Sequence, residues 1–291
     1  MGPAPAISFE FFPPATERAE ASFWTAVDRL ATLQPSFVSL TYGACGSTRD
    51  RNDRILRALL RREDLIPAAH ITCAGMARPE VDALAADWGA AGIRRIVALR
   101  GDTPGTATQF TPHPDGYRNA VEFVAGLRRI AEFDISVAAY PEGHPDAASP
   151  AADLDHLKRK IEAGASRAIT QYFFDPEPFL RFRDRVATAG IHAPIVPGVL
   201  PIVDFAKVLE LSRRCGATVP AWLAARFAGL NGDAETSALV AAATTVELCR
   251  RLHSEGVEAF HFYTLNRAAL PYAACRSLGV MPVPVPTEEA A

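Results

Sequence analysis

Ile7-Ser8-Phe9-Glu10-Phe11-Phe12-Pro13-Pro14 reads as a short apolar strand that two prolines stop. The residues just after such a strand distinguish two architectures. A doubly wound open sheet usually carries a glycine-rich phosphate turn after its first strand, and no glycine stands here. Seven further apolar runs succeed it, over residues 37–42, 68–73, 93–99, 135–140, 168–174, 195–196 and 257–263. Segments of helical period lie between them, including 16–33, 78–91, 116–132, 151–163 and 176–189. Eight strand-then-helix units predict an α/β fold, a single (β/α)8 TIM barrel, because right-handed crossovers close a parallel sheet most simply that way. The seventh run breaks at Pro197-Gly198, and extra helices are expected between strands seven and eight, over 203–214, 220–228 and 233–254. A last helix over 267–278 completes one catalytic domain spanning 1–280, and the Pro-rich residues 281–291 are expected to form a disordered tail.

Composition narrows the function classes. Of 291 residues, 49% are hydrophobic and 22% charged, which excludes wholesale disorder. Lys plus Arg number 30 against 33 Asp plus Glu, so the net charge of −3 argues against a nucleic-acid or anionic-membrane partner. The first six residues have neither the cationic region nor the apolar run of a secretory signal, and no stretch of about 18 apolar residues occurs. Five scattered cysteines without a C-x-x-C pair suit reduced thiols. A cytoplasmic, enzyme-sized domain acting on small molecules is expected, as a homo-oligomer of open order.

A barrel places its chemistry at the C-terminal ends of its strands. Those ends carry Glu10, Tyr42, His70, Arg100-Gly101-Asp102, Tyr140 with His144, Gln171 and Tyr263. So many polar strand ends mark a ligand mouth. Glu10 stands between Phe9 and Phe11-Phe12, where lost hydration would favour the neutral carboxyl of a general acid; the plain alternative is a structural Glu paired with an Arg. Arg100 suits an anion and Asp102 a developing positive charge, or the pair forms an internal salt bridge. His70, His144 and His261 stand apart, so no catalytic metal is expected. Arg159 and Lys160 can clamp a diphosphate, yet by themselves they read as the solvated face of the fifth helix.

Nine stretches in this order resemble the methylenetetrahydrofolate reductase family. They include Phe9-Glu10-Phe11-Phe12-Pro13-Pro14, Thr41-Tyr42-Gly43-Ala44, His70-Ile71-Thr72-Cys73, Ala98-Leu99-Arg100-Gly101-Asp102 and Tyr140-Pro141-Glu142-Gly143-His144-Pro145. Others are Lys158-Arg159-Lys160 through Ala163-Gly164, Ile169-Thr170-Gln171-Tyr172-Phe173-Phe174-Asp175, Pro197-Gly198-Val199-Leu200-Pro201 and Phe262-Tyr263-Thr264-Leu265-Asn266-Arg267. The resemblance implies an FAD-dependent enzyme that reduces 5,10-methylenetetrahydrofolate to 5-methyltetrahydrofolate with NADH or NADPH. It implies FAD contacts at Tyr42, Ala44, His70, Arg100, Gly101, Asp102, Ala120, Tyr140, His144, Ala147, Asp153, Arg159 and Lys160. Folate contacts are implied at Asp102, Gln171 and Arg267, and nicotinamide contacts at Thr41 and Gln171.

Two positions depart from the pattern. His156 stands near the cofactor where bacterial relatives often have Asn, and Lys207 where some have a folate-contacting Gln; Lys207 would suit folate carboxylates. The resemblance also implies ping-pong chemistry in which Glu10 protonates folate N10 and opens the five-membered ring, while Asp102 stabilises the resulting cation. Two alternatives stay open on the sequence. One is a flavin-free reductase of the same fold, and the other is a folate- or flavin-binding module without turnover.

Overall fold

A computed structural model describes residues 3–42, 46–101 and 111–283, with 46–48 described as backbone alone. The chain runs β1 (Ala6–Phe11), α1 (Glu17–Ala31), β2 (Phe37–Leu40), α2 (Gly46–Leu60), β3 (Pro67–Thr72), α3 (Arg78–Ala91) and β4 (Arg95–Leu99). It continues through α4 (Ala120–Ile130), β5 (Asp134–Ala139), α5 (Pro150–Glu162), β6 (Arg167–Thr170), α6 (Pro176–Thr188), β7 (Ile195–Val196) and β8 (Gly198–Val199). Helices α7 (Phe205–Cys215), α8 (Ala221–Phe227) and α9 (Ala234–Ser254) precede β9 (Ala259–Tyr263) and α10 (Ala269–Ser277). Among the described residues no helix is long and apolar enough to cross a membrane.

All strand pairs are parallel, in the order β7-β6-β5-β4-β3-β2-β1-β9-β8. The ends of that order, β7 and β8, are separated by Pro197 alone, so the sheet closes into a barrel through its own main chain. The single seventh strand expected from the sequence is therefore two half-strands. Proline has no N–H for a ladder, and here its carbonyl accepts from His261 N–H at 3.0 Å. Gly198 N–H turns to Thr170 Oγ1 at 2.9 Å. Only glycine fits next, because a Cβ on Gly198 would lie 2.1 Å from Thr170 O and 2.6 Å from the Tyr263 ring.

Alternation along the strands sorts side chains between two layers. Phe9, Phe11, Ile71, Ile96, Phe260 and Phe262 face the helices, where Phe23, Leu30, Ile55, Trp88 and Phe123 cover them. Inside the barrel Phe37, Ala68, Val97, Ile169 and Val196 form a closed floor. Below it Arg95 and Arg167 stack on Phe37, 5.3 and 5.8 Å from its centroid, and both pair with Asp134.

Helix starts follow their caps. The fourth helix, expected from Gly116, begins at Ala120 because Asn119 accepts from Glu122 N–H. Ser149 caps α5 by accepting from Ala152 N–H, with Pro150 in the first turn. Of the expected tail, residues 281–283 lie along the barrel, Val283 N–H donating to Thr32 O at 2.8 Å. Residues 284–291 fall outside the described part.

Candidate active site

The alternation that buries Phe9 and Phe11 turns Ser8 and Glu10 into the barrel. Phe11 meets Phe23 of α1 edge-on at 5.5 Å, Phe9 lies 5.9 Å from Phe262, and Phe12 is exposed. The rings expected to desolvate Glu10 thus stand on the opposite face of its strand or in solvent. Its real neighbours are imidazoles. Glu10 Oε2 lies 3.5 Å from His70 Nε2 and 3.8 Å from His261 Nε2. The Glu10 main chain is fixed by Thr264, whose N–H and hydroxyl both donate to its carbonyl at 3.1 and 2.6 Å.

Burial sets the state of His70. His70 is enclosed, and loss of hydration pushes its imidazole down to about 4, against the pull of Glu10, so it is neutral at pH 7. His261 Nδ1 lies 2.8 Å from Ser8 Oγ, and that hydroxyl donates to Phe260 O at 3.3 Å. Tyr263 donates its phenol proton to Thr170 O at 2.7 Å, and burial raises it well above its ordinary range.

Above the floor opens a cavity of about 720 Å³, with Glu10 in its wall. The strand ends contribute Thr41, Tyr42, His70, Arg100 and Gly101. The loops after the strands add Tyr140, His144, Ala147 and Gln171, and the helices add Ala120, Asp153, His156 and Lys160. Fourteen residues singled out in the sequence therefore share one cavity. Three do not reach its wall. Arg159 pairs with Asp155 at 3.0 Å and is half exposed, Lys207 stands in solvent 3.6 Å from Asp204, and Arg267 is exposed. Ala44 and Asp102 lie outside the described residues.

Opposite Glu10 the wall is rich in nitrogen. Lys160 is buried, its ammonium donating to Ala138 O at 2.6 Å, and burial lowers it to about 8 against the attraction of Asp153. Burial and then Lys160, Arg159, His144 and Arg100 push His156 down to about 4. The His144 main-chain N–H donates to Asp153 Oδ2 at 3.1 Å. Its Nδ1 accepts from Asp146 N–H at 2.9 Å, which places the ring proton on Nε2. Arg100 reaches Asp146 Oδ2 at 2.9 Å, while the salt bridge weighed between Arg100 and Asp102 falls outside the described residues. Gly101, at φ 87°, fits because a Cβ would meet Thr72 and Ala74 at 2.9 Å. Among the described residues no metal-binding group of His, Cys, Asp or Glu assembles.

Of the other polar wall residues, Tyr263 was read from the sequence only as a polar strand end and His261 only as an isolated histidine, and Asp146 was not singled out. His261 and Tyr263 share an inward face by strand alternation, a signal legible in Phe260-His261-Phe262-Tyr263. Asp146 carried no signal beyond its place in the turn after His144.

Polar strand ends meeting at one mouth define a (β/α)8 barrel with a titratable ligand cavity, of the class that places its chemistry above the strands. The profile of the family Methylenetetrahydrofolate reductase matches residues 3–279. The chain belongs to the methylenetetrahydrofolate reductase family. The 5,10-methylenetetrahydrofolate reductases of Escherichia coli (strain K12) and Salmonella typhimurium (strain LT2) are 49% and 48% identical to it over 276 residues, 95% of this chain and 91% of theirs. An uncharacterized protein from Clostridium thermocellum, solved with two copies of 5-methyl-5,6,7,8-tetrahydrofolic acid, shares the fold at a TM-score of 0.66 and 15% identity, over 94% of each chain.

Proposed function

We propose that this protein reduces 5,10-methylenetetrahydrofolate to 5-methyltetrahydrofolate, with NADH or NADPH as reductant, FAD as carrier and Glu10 as general acid. Family membership and near-half identity to two reductases of that name support the reaction. The observation that carries the mechanism is the Glu10 carboxyl in the cavity wall, on a fixed backbone, with neutral His70 beside it.

The donor set suits a flavin dinucleotide. His70 Nε2, in the cavity wall, is buried without a hydrogen bond, so a ligand atom would satisfy it. Lys160, Arg100, His144 and His156 offer nitrogen to a diphosphate. The cavity volume lies in the upper part of the range for small-molecule sites, about 300–1,000 Å³. FAD, when bound, carries a hydride between the two substrates.

The protein's own contribution is a proton and a place. Glu10 gives its proton to folate N10, the bond from N10 to the one-carbon unit breaks, and that carbon becomes a cationic electrophile on N5. Asp102, next to Arg100-Gly101 in sequence, is proposed to face that cation. Gln171 and Thr41 supply amide and hydroxyl groups to whichever ring occupies the cavity. Arg267, Lys207 and Arg159 are exposed, which suits the charged parts of substrate and cofactor that remain in water.

In stopped-flow traces Glu10→Gln leaves flavin reduction by NADH largely intact, while reoxidation by methylenetetrahydrofolate slows by about two to four orders of magnitude. An equal fall in both half-reactions overturns the acid role. Purified protein that stays colourless after adding FAD, yet oxidises NADH with folate, replaces the flavin carrier with direct hydride transfer.

A further inference from the structure

His156 lies on α5 between Asp153 and Lys160, and all three line the cavity. Around it charges balance in pairs. Arg100 meets Asp146 at 2.9 Å and Arg159 meets Asp155 at 3.0 Å, while Lys160 is drawn by Asp153, whose carboxylate also accepts the His144 main-chain N–H. Three cations thus answer three carboxylates. Among the described residues, a diphosphate diester entering this wall brings two negative charges to cations that are already paired.

Two imidazoles are placed to respond, and they differ. His144 already accepts Asp146 N–H at Nδ1, so a second proton there would break a hydrogen bond. The His156 ring makes no hydrogen bond among the described residues, and nothing has to be broken to protonate it. Burial and the positive charges of Lys160, Arg159 and Arg100 keep it neutral while the protein is alone, with His144 acting in the same direction. An anion beside it reverses the sign of that field.

We propose that a dinucleotide diphosphate binds at the α5 wall together with one proton, which His156 takes up to become its countercharge. The proposal rests on taking this cavity as the FAD site. Its sign is fixed by linkage: a group protonated only in the complex makes binding tighter toward acid pH, above the pKa of the free ring and below that of the complex.

Isothermal titration at pH 6, in two buffers of different ionisation enthalpy, measures the uptake. The ligands are FAD and ADP-ribose, a diphosphate diester without flavin, each added to flavin-stripped protein. The native protein should take up about 0.5–1 proton per ligand, and His156→Gln less than about 0.2. Native affinity should weaken by about three- to tenfold from pH 5.5 to 6.5, and the variant's affinity should stay flat. His156→Asn serves as a second variant should His156→Gln fold poorly, and native uptake is decisive without either. Binding without proton uptake, or uptake unchanged in the variants, overturns the proposal. So does failure of both ligands to bind. ADP-ribose binding with a proton while FAD fails to bind would uphold the proton linkage and remove the flavin assignment.

Discussion

At neutral pH His70 stands beside Glu10 uncharged, because burial strips away the hydration an imidazolium would need. Its folded value of about 4 lies below the ordinary 6.5, so between those limits the unfolded chain binds the extra proton. Stability contributed by the neutral ring is complete above pH 6.5 and drains away as pH falls toward 4, by on the order of 3 kcal/mol. Urea denaturation of His70→Gln should show a shallower loss of stability from about pH 6.5 to about pH 4.5 than the native protein shows. Parallel curves would mean that His70 is not the group responsible. Residue-scale reasoning from sequence found Glu10 but misjudged its surroundings, because residues adjacent in a strand point to opposite faces. The same limit separates Arg159 from Lys160. Neighbours on a helix diverge by about 100°, so one lies in solvent and the other is buried.

Among elements the broken seventh strand has the strictest demands. Gly198→Ala sets a methyl group against a backbone carbonyl and a buried tyrosine, neither of which can retreat cheaply. It should destabilise the fold by about 3 kcal/mol or more in chemical denaturation, the scale of severe overpacking. A loss below about 1 kcal/mol would show that the joint has slack. Pro197-Gly198 was visible in the sequence as a stop. That its two sides pair with different neighbours was not, since β6 and β9 are distant in sequence and register is not written locally. The start of α6 was legible at Pro176, whereas the Asn119 cap of α4 went unrecognised and its start was expected at Gly116.

For the whole molecule, the repeating alternation of strand and helix was enough to predict the barrel, because few topologies bury eight parallel strands. The site was legible through family motifs, which placed fourteen residues around one cavity, drawn from the first six strands and the segments after them. Binding there should hold the whole ring together. FAD at about 100 times its Kd should raise unfolding free energy by about 2.7 kcal/mol over the flavin-stripped protein, read in the same denaturant titration. No rise would mean that the folded protein does not bind FAD in preference to the unfolded chain.

The proline joint has one more consequence. Each half-strand is held by only two residue pairs, β7 to β6 and β8 to β9, so the cylinder has a seam. Thr170 fastens it twice, its carbonyl accepting from the Tyr263 phenol and its hydroxyl from Gly198 N–H. Main-chain pairing is therefore sparsest beside Gln171, above the floor, where the other strand pairs hold three to five residue pairs each.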